Sequence, residues 1–364
     1  MRILIASCHP YIPELRGGAQ SSTHELALAL RDRDHAVAVV SGLAGNGWFG
    51  LLKRIGLKVL GRTWLLDSQL GYAVYRAWFP HLQIVDMCHH FEPDVVLLQS
   101  GFPVALAKAL APTKIPVVMY LHNVETDDLG GDLAEVNNVT FIANSVFTAD
   151  RFARDNGILS QVIYPMVDRT RYSTSTTGEN VTFINPHPHK GVDIALDVAQ
   201  ACPDIPFVFV RAWTLSEGDE AALLNRLRDL PNVSLINPTQ NMKAIYGKCR
   251  IIFAPSRWEE AFGRIAAEAH ISGIPVVGSS RGGLPEAIGP GGVMLDADAP
   301  VDQWVAAVQR LWHDKQHHAD LSEAARLYAQ REAMQQERQL AAIEQILSQA
   351  ILRQDSRAYS FHNR

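Results

Sequence analysis

The sequence predicts an α/β protein made of two doubly wound parallel-sheet domains in tandem, and three observations carry that expectation. Short β-branched runs alternate with longer amphipathic runs from one end of the chain to the other. The strand runs are continuously apolar rather than alternating, as strands buried on both faces of a parallel sheet must be. The chain is 364 residues long, more than one typical core, so two domains are expected.

In the first half the strands are expected over 2–7, 36–41, 72–78, 94–99, 117–121 and 139–144, separated by helices such as 20–31, 104–110 and 147–156. The first run, Arg-Ile-Leu-Ile-Ala-Ser, is too short for a secretory core and reads as an opening strand. The rhythm restarts with strands over 181–185, 207–210, 233–236, 251–254 and 276–278, and helices over 192–201, 220–230, 263–272 and 301–312. Between the two halves, 169–180 has no apolar periodicity and 173–178 is of linker type, so the join is placed there. This gives domains over 1–168 and 169–340, with 341–364 as a closing segment. A helical stretch rich in Ala, Gln, Glu and Leu runs over 320–352, and 356–364 reads as frayed.

Composition narrows the function. Hydrophobic residues make up 47% and charged residues 20%, an ordinary globular balance. With 33 Lys+Arg against 38 Asp+Glu the net charge is −5, which argues against a general nucleic-acid binder. Cys8, Cys88, Cys202 and Cys249 form no CxxC pair and no zinc spacing. No run is long enough to span a bilayer, so a cytoplasmic protein, at most peripheral on a membrane, is expected. The histidine pairs His89-His90, His187 with His189, and His317-His318 lack zinc-site spacing and read as solvated or structural.

The motifs fall just after expected strands, on the rim where open α/β sheets bind ligands. Gly17-Gly18 precedes a helix, where backbone approaches a ligand closely and free N–H groups face an anion; a plain turn gives the same pattern. His122-Asn123 ends the run 117–121, placing an imidazole to bond a sugar hydroxyl or phosphate, or to cap a helix. Lys190-Gly191 precedes a helix, where a cation neutralises a departing diphosphate or is simply solvated. The most informative stretch is 251–268, IIFAPSRWEEAFGRIAAE. It puts Glu259 and Glu260 in a loop, Phe262-Gly263 and Arg264 at a helix start, and Glu268 about a turn and a half into that helix. One carboxylate can meet sugar hydroxyls and the other a ribose, with the N–H groups from Phe262 onward facing phosphates. Glycines at 282 and 283 follow the strand at 276–278 and add backbone donors to such a site.

Taken together these motifs resemble retaining glycosyltransferases of family 4, the glycosyltransferase group 1 type, over nearly the whole chain. The resemblance rests on Gly17-Gly18, His122-Asn123, Pro165-Met166-Val167-Asp168 and Lys190-Gly191-Val192-Asp193. It continues through Pro255-Ser256, Glu260-Ala261-Phe262-Gly263, Glu268, Ser272-Gly273-Ile274-Pro275, Gly282-Gly283 and Pro285-Glu286. It implies the GT-B fold: two Rossmann-like domains facing a cleft, with a C-terminal helix crossing back to the N-terminal domain. It implies an acceptor-binding first domain and a second domain holding a nucleotide-diphosphate sugar, UDP- or GDP-linked, with retained anomeric configuration and no required metal or other cofactor. Glu260 maps to the donor sugar, Glu268 to the ribose, Lys190 to the diphosphate, Gly18 to phosphate and sugar, and His122 to sugar hydroxyls. The acceptor, a lipid-linked glycan or a small molecule, would serve cell-surface polysaccharide, glycolipid or specialised-metabolite synthesis.

One departure stands out. Many relatives carry an Arg five or six residues before the lysine, whereas 184–189 here reads INPHPH. Arg257, Arg264 or a protonated His189 are the alternatives for a second positive charge. No side chain is placed as a nucleophile behind the sugar, so a front-face departure is expected, with the leaving diphosphate taking the acceptor proton. A nucleotide-sugar 2-epimerase, or a silent nucleotide-binding relative, shares the fold.

Finally, 48–66 reads as a basic amphipathic helix with Trp48, Leu52, Ile55 and Val59 on one face and Lys53, Arg54 and Lys58 along the other side. Such a helix lies on an anionic membrane or packs its apolar face on its own domain. Gly50 and Gly56 weaken it.

Overall fold

A computed structural model describes the backbone of residues 1–15, 17–45 and 47–362 and the side chains of these up to residue 354. The frayed tail expected over 356–364 therefore lies outside the described side chains, and residues 363–364 outside the description altogether. The chain forms two compact units, Met1–Met166 with Gln336–Arg364, and Val167–Gln335.

The first unit runs β1 (Arg2–Pro10), α1 (Gly18–Arg31), β2 (Ala36–Gly42), α2 (Gly47–Leu60), β3 (Trp64–Asp67) and β4 (Ala73–Ala77). It continues with α3 (Pro80–Phe91), β5 (Val95–Leu98), α4 (Pro103–Leu110), β6 (Val117–Leu121), β7 (Val139–Ala143), α5 (Val146–Asn156) and β8 (Gln161–Val162). The strands form one sheet in the order β3-β4-β2-β1-β5-β6-β7-β8. It is parallel except at its edge, where β3 runs antiparallel to β4. Ile3 pairs with Val37 on one side and Val95 on the other. Because successive strand residues point to opposite faces, Ile3, Ile5, Val39 and Leu97 join one core, and Leu4, Ala6, Val40 and Leu98 the other. That is why these strands read as unbroken apolar runs.

The second unit runs α6 (Arg169–Tyr172), β9 (Asn180–Ile184), α7 (Val192–Ala201), β10 (Phe207–Val210), α8 (Glu217–Leu227), β11 (Val233–Ile236) and α9 (Met242–Tyr246). It continues with β12 (Cys249–Ala254), α10 (Arg264–Ile271), β13 (Val276–Ser279), α11 (Leu284–Ile288), β14 (Gly292–Leu295), α12 (Val301–His313) and α13 (Lys315–Ala329). Its sheet, in the order β11-β10-β9-β12-β13-β14, is parallel throughout. Phe209 meets Phe183 edge-on at 5.1 Å, and Trp304 meets Phe253 at 5.6 Å, tying α12 to the sheet.

The chain's last helix, α14 (Gln336–His362), belongs to the first unit. Leu340, Ile343 and Leu347 lie on one helical face and are buried against Leu26 and Leu30 of α1. Glu344 on the same helix bonds Arg33 and His35.

Three expectations need correction. The helical stretch over 320–352 is two helices, α13 and α14, broken at 330–335 where the chain passes from one unit to the other. The stretch 168–180 is not a free linker: Asp168 caps α6, Thr174 N–H bonds Ser272, and Thr177 N–H bonds Gly247. The helix expected over 48–66 stops at Leu60, because Gly61 takes the left-handed φ of +58° and lets Arg62 N–H bond Leu57 O. The rest of that segment becomes β3, fixed by Asp67 against the fully buried Arg76 of β4 at 2.6 Å. Strands β8 and β14 and helix α3 were not among the expected elements.

Candidate active site

Every candidate of the second unit follows the carboxyl end of a strand. After β9 the chain turns through Asn185, at φ +68°, and reaches Lys190 and Gly191 before α7. After β12 it runs through 255–263 into α10, whose N-cap is Gly263 at φ +90°. These two loops are stitched together by one carbonyl: His189 O accepts the N–H of Arg257 at 3.0 Å and of Trp258 at 2.9 Å. Gly191 closes the seam, since a Cβ there would stand 2.0 Å from Pro255 O.

On this base Lys190 Nζ sits 2.5 Å from Glu260 Oε1 and 4.9 Å from the centre of the Trp213 ring. Ser256 Oγ donates to the same Glu260 oxygen at 3.0 Å. The arrangement is an ammonium held between a carboxylate and an aromatic face, with the Lys190 and Glu260 side chains only partly exposed. An incoming phosphate would compete with Glu260 for the lysine and release that carboxylate for other hydroxyls.

Glu268 lies on α10 a little over one turn beyond Gly263 and is 9% exposed. Its Oε1 accepts from Arg264 Nε at 2.7 Å and its Oε2 from the Tyr246 hydroxyl at 2.8 Å. Arg264 also donates to the Tyr172 hydroxyl at 3.1 Å, and its guanidinium lies 5.7 Å from that ring's centre. The Phe262 side chain is buried in the unit, so its contribution to a ligand is confined to its main chain. The glycine loop after β13 acts differently from expectation. Gly283 N–H bonds Glu260 O and braces the Glu260 loop, while Ser280 N–H bonds Leu295 O of β14.

Two of the three alternatives for a second cation are already ion-paired. Arg257 is held by Asp193 at 2.5 Å and Asp298 at 3.5 Å, and Arg264 by Glu268. His189 is exposed, with its ring 4.5 Å from Trp258 and 5.0 Å from His187. Five residues before Lys190, the Asn185 side-chain oxygen accepts the Trp213 main-chain N–H at 3.1 Å, setting the loop that carries the indole over Lys190.

In the first unit, Gly17 is the N-cap of α1 and Gly18 its first residue, with no side-chain cap and no acidic residue in the first turn. That helix start is electrostatically open to an anion. His122 follows β6, its ring centre 4.1 Å from that of Tyr120 and its carbonyl bonded by Asn144.

Sequence reasoning missed a polar cluster in the same unit. His9, at the carboxyl end of β1, sits 2.5 Å from Asp128. Asp128 also accepts from the Asn123 amide at 2.8 Å and Gly101 N–H at 2.9 Å, and Asn123 accepts from Ser100. Burial alone raises the Asp128 carboxyl, but His9, Asn123 and Gly101 together bring it below the usual carboxylate range. His9 and Asp128 are 119 positions apart, so no local motif announces them. Tyr172 and Tyr246 were missed for the same reason.

Among the described residues no group of three or more His, Cys, Asp or Glu is arranged to hold a metal ion. All four cysteines are free thiols. Helix α2 turns its expected apolar face outward, with Trp48 81% and Val59 75% exposed and Leu52 and Ile55 also exposed. Lys53, expected on the basic side, points inward to Asp67 at 3.0 Å and to the Phe49 ring. Arg54, Lys58 and Arg62 remain exposed. Among the described residues no helix is long and apolar enough to cross a membrane.

Residues 16–171 match the family model described as Glycosyltransferase Family 4, and residues 185–328 match that for Glycosyl transferases group 1. A D-inositol 3-phosphate glycosyltransferase of Corynebacterium kroppenstedtii is 36% identical over 96 residues, which is 26% of this chain and 21% of that protein. The matched segment is thus about a fifth of that relative's length. Among solved structures, Alr3699/HepE of Anabaena in complex with UDP and glucose superposes with a TM-score of 0.77 at 22% identity, covering 96% of this chain and 99% of that one. A glycosyltransferase of Rickettsia africae gives 0.73 at 14% identity, covering 96% and 98%. With the two family models falling one after the other along the two sheet units, the chain belongs to the family 4, group 1 glycosyltransferases and has the GT-B fold.

Proposed function

We propose that this enzyme moves a sugar from a nucleotide-diphosphate sugar to an acceptor hydroxyl with retention at the anomeric carbon and without a required metal. The observation that carries the reading is the Lys190–Glu260 pair at 2.5 Å, with Glu260 in the loop that leads into α10, the helix that carries Glu268. Lys190 takes the diphosphate, Glu260 the donor sugar and Glu268 the ribose, with the main chain at Phe262 and Gly263 facing phosphate. Gly17, Gly18 and His122 are the proposed substrate contacts of the first unit. The solved relative Alr3699/HepE binds UDP and UDP-glucose, which makes a UDP-linked donor the first to test.

In the proposed step the bond between the anomeric carbon and the diphosphate oxygen breaks while the acceptor oxygen bonds the same face of that carbon. The acceptor proton passes to the departing diphosphate, whose charge Lys190 and the α10 N-terminus stabilise. The exposed apolar face of α2, interleaved with Arg54, Lys58 and Arg62, supports a peripheral contact with an anionic membrane. A lipid-linked acceptor suits that surface better than a freely soluble one.

The test is a panel of UDP- and GDP-sugars incubated with hydroxyl acceptors, with and without a chelator. Acceptor-dependent release of nucleoside diphosphate that persists in chelator, with the donor's anomeric configuration kept in the product's NMR coupling, is the expected result. An inverted product would overturn the retaining step. Interconversion of nucleotide sugars with no acceptor present would point to an epimerase instead.

A further inference from the structure

We propose that Tyr246 and Arg264 are positioning residues that aim Glu268 at the ribose diol, so that the enzyme discriminates ribonucleotides from 2′-deoxyribonucleotides through them. The inference rests on the nucleotide-sugar reading above and adds to it how the carboxylate is held and what that selects.

Tyr246 is the last residue of α9 and is fully buried. Burial pushes its hydroxyl far above the ordinary phenol range, and the Glu268 charge adds to the shift. The hydroxyl therefore keeps its proton and donates it to Glu268 Oε2 at 2.8 Å. Arg264, one turn ahead of Glu268 on the same helix, donates to Oε1 at 2.7 Å. Its own orientation is fixed by the Tyr172 hydroxyl at 3.1 Å, and Ser272 holds Tyr172 in turn by donating to its carbonyl at 3.1 Å.

Each carboxylate oxygen thus has one protein donor, and the plane of the group is set from both sides. A carboxylate accepts about four hydrogen bonds, so each oxygen keeps one lone-pair direction for a ligand. Two neighbouring hydroxyls match two such directions on one carboxylate, as the 2′ and 3′ hydroxyls of a ribose would. Without the Tyr246 hydroxyl, the buried Oε2 loses its donor and the carboxylate turns toward Arg264, so the match to a diol is lost even though the negative charge remains. A residue needed only for folding would weaken all nucleotides alike; a positioning residue changes the preference between them.

The experiment is calorimetric titration of UDP and 2′-deoxy-UDP, and of GDP and 2′-deoxy-GDP, into wild type and Tyr246→Phe. Wild type is expected to prefer the ribonucleotide by roughly tenfold to a hundredfold, the value of one hydrogen bond to a charged group. Tyr246→Phe should bind the 2′-deoxy form within about threefold of wild type while losing most of that preference. If Tyr246→Phe gives no cooperative thermal transition, Arg264→Gln carries the same test on the other oxygen. Retention of the full preference in the variant overturns the proposal and leaves Tyr246 a structural residue. Equal wild-type affinity for the ribo and deoxy forms also overturns it, while leaving nucleotide binding intact. Failure of wild type to bind any nucleotide removes the nucleotide-sugar reading itself, and the proposal with it.

Discussion

Lys190 Nζ stands 2.5 Å from Glu260 Oε1, so the cation proposed for the diphosphate and the carboxylate proposed for the donor sugar neutralise each other. A partly exposed pair of this kind contributes up to about 1 kcal/mol. Glu260→Gln should therefore bind bare UDP as tightly as wild type, or up to about fivefold more tightly, while sugar transfer falls sharply. Lys190→Ala should weaken UDP without changing affinity for uridine. Calorimetry on the two variants, beside a transfer assay, reads both effects.

Gly191 carries the seam between the two loops of the site. Its φ of +76° and the 2.0 Å approach to Pro255 O leave no room for a Cβ. The left-handed conformation alone costs a non-glycine residue roughly 1–2 kcal/mol, and the backbone clash adds to it. Gly191→Ala is expected to lower the urea midpoint of unfolding and to weaken nucleotide binding. An unchanged midpoint would mean the loops separate readily.

Asp67 lies between Arg76, 1% exposed, and Lys53. Removing it leaves a buried guanidinium without its counter-charge, at a cost of about 3–5 kcal/mol. Asp67→Ala should show that loss in chemical denaturation, along with looser packing of α2 seen as faster amide exchange. Because this pair ties an edge strand of the first unit, nucleotide binding in the folded variant should be unaffected.

The Asp128 carboxyl is held below its usual range, which fixes the sign of its pH effect. Its contribution to stability is present above the titration of the unfolded carboxylate near about pH 4. It is lost as the pH falls through the lower folded value. Wild type should therefore lose more stability on acidification through that window than Asp128→Asn does. Parallel curves for the two proteins would show that the His9 contact carries no such linkage.

Helix α2 predicts an association that depends on both charge and apolar surface. The protein should sediment with vesicles containing anionic lipid at low salt, less so at high salt. It should do so weakly after Trp48→Ser with Val59→Ser. Failure to sediment at low salt removes the membrane contact.

Much of the scaffold was legible in the sequence, for a physical reason. Runs such as Val117–Leu121 and Phe207–Val210 are apolar because both sheet faces are covered, so burial itself writes the strand. The motif proposed for the donor side was visible in the sequence because Glu260, Gly263 and Glu268 lie within one loop and one helix. Contacts made across the sequence left no such trace. Trp64–Asp67 becomes a strand through its pairing with β4, where Asp67 meets the buried Arg76. Tyr246 supports Glu268 from 22 residues away, and Asp128 reaches His9 from 119. The helical run near the C-terminus hid its break because 330–335 contains no Pro or Gly to mark it.

The central claim is that the second unit holds a nucleotide diphosphate through Lys190 and Glu268. It is tested most directly by calorimetric titration of UDP, GDP, ADP and TDP into wild type and Glu268→Ala. The account predicts clear binding of one nucleotide, weakened roughly tenfold or more by loss of the carboxylate. Binding of none of the four would contradict it and leave a GT-B chain whose phosphate clamp is incomplete.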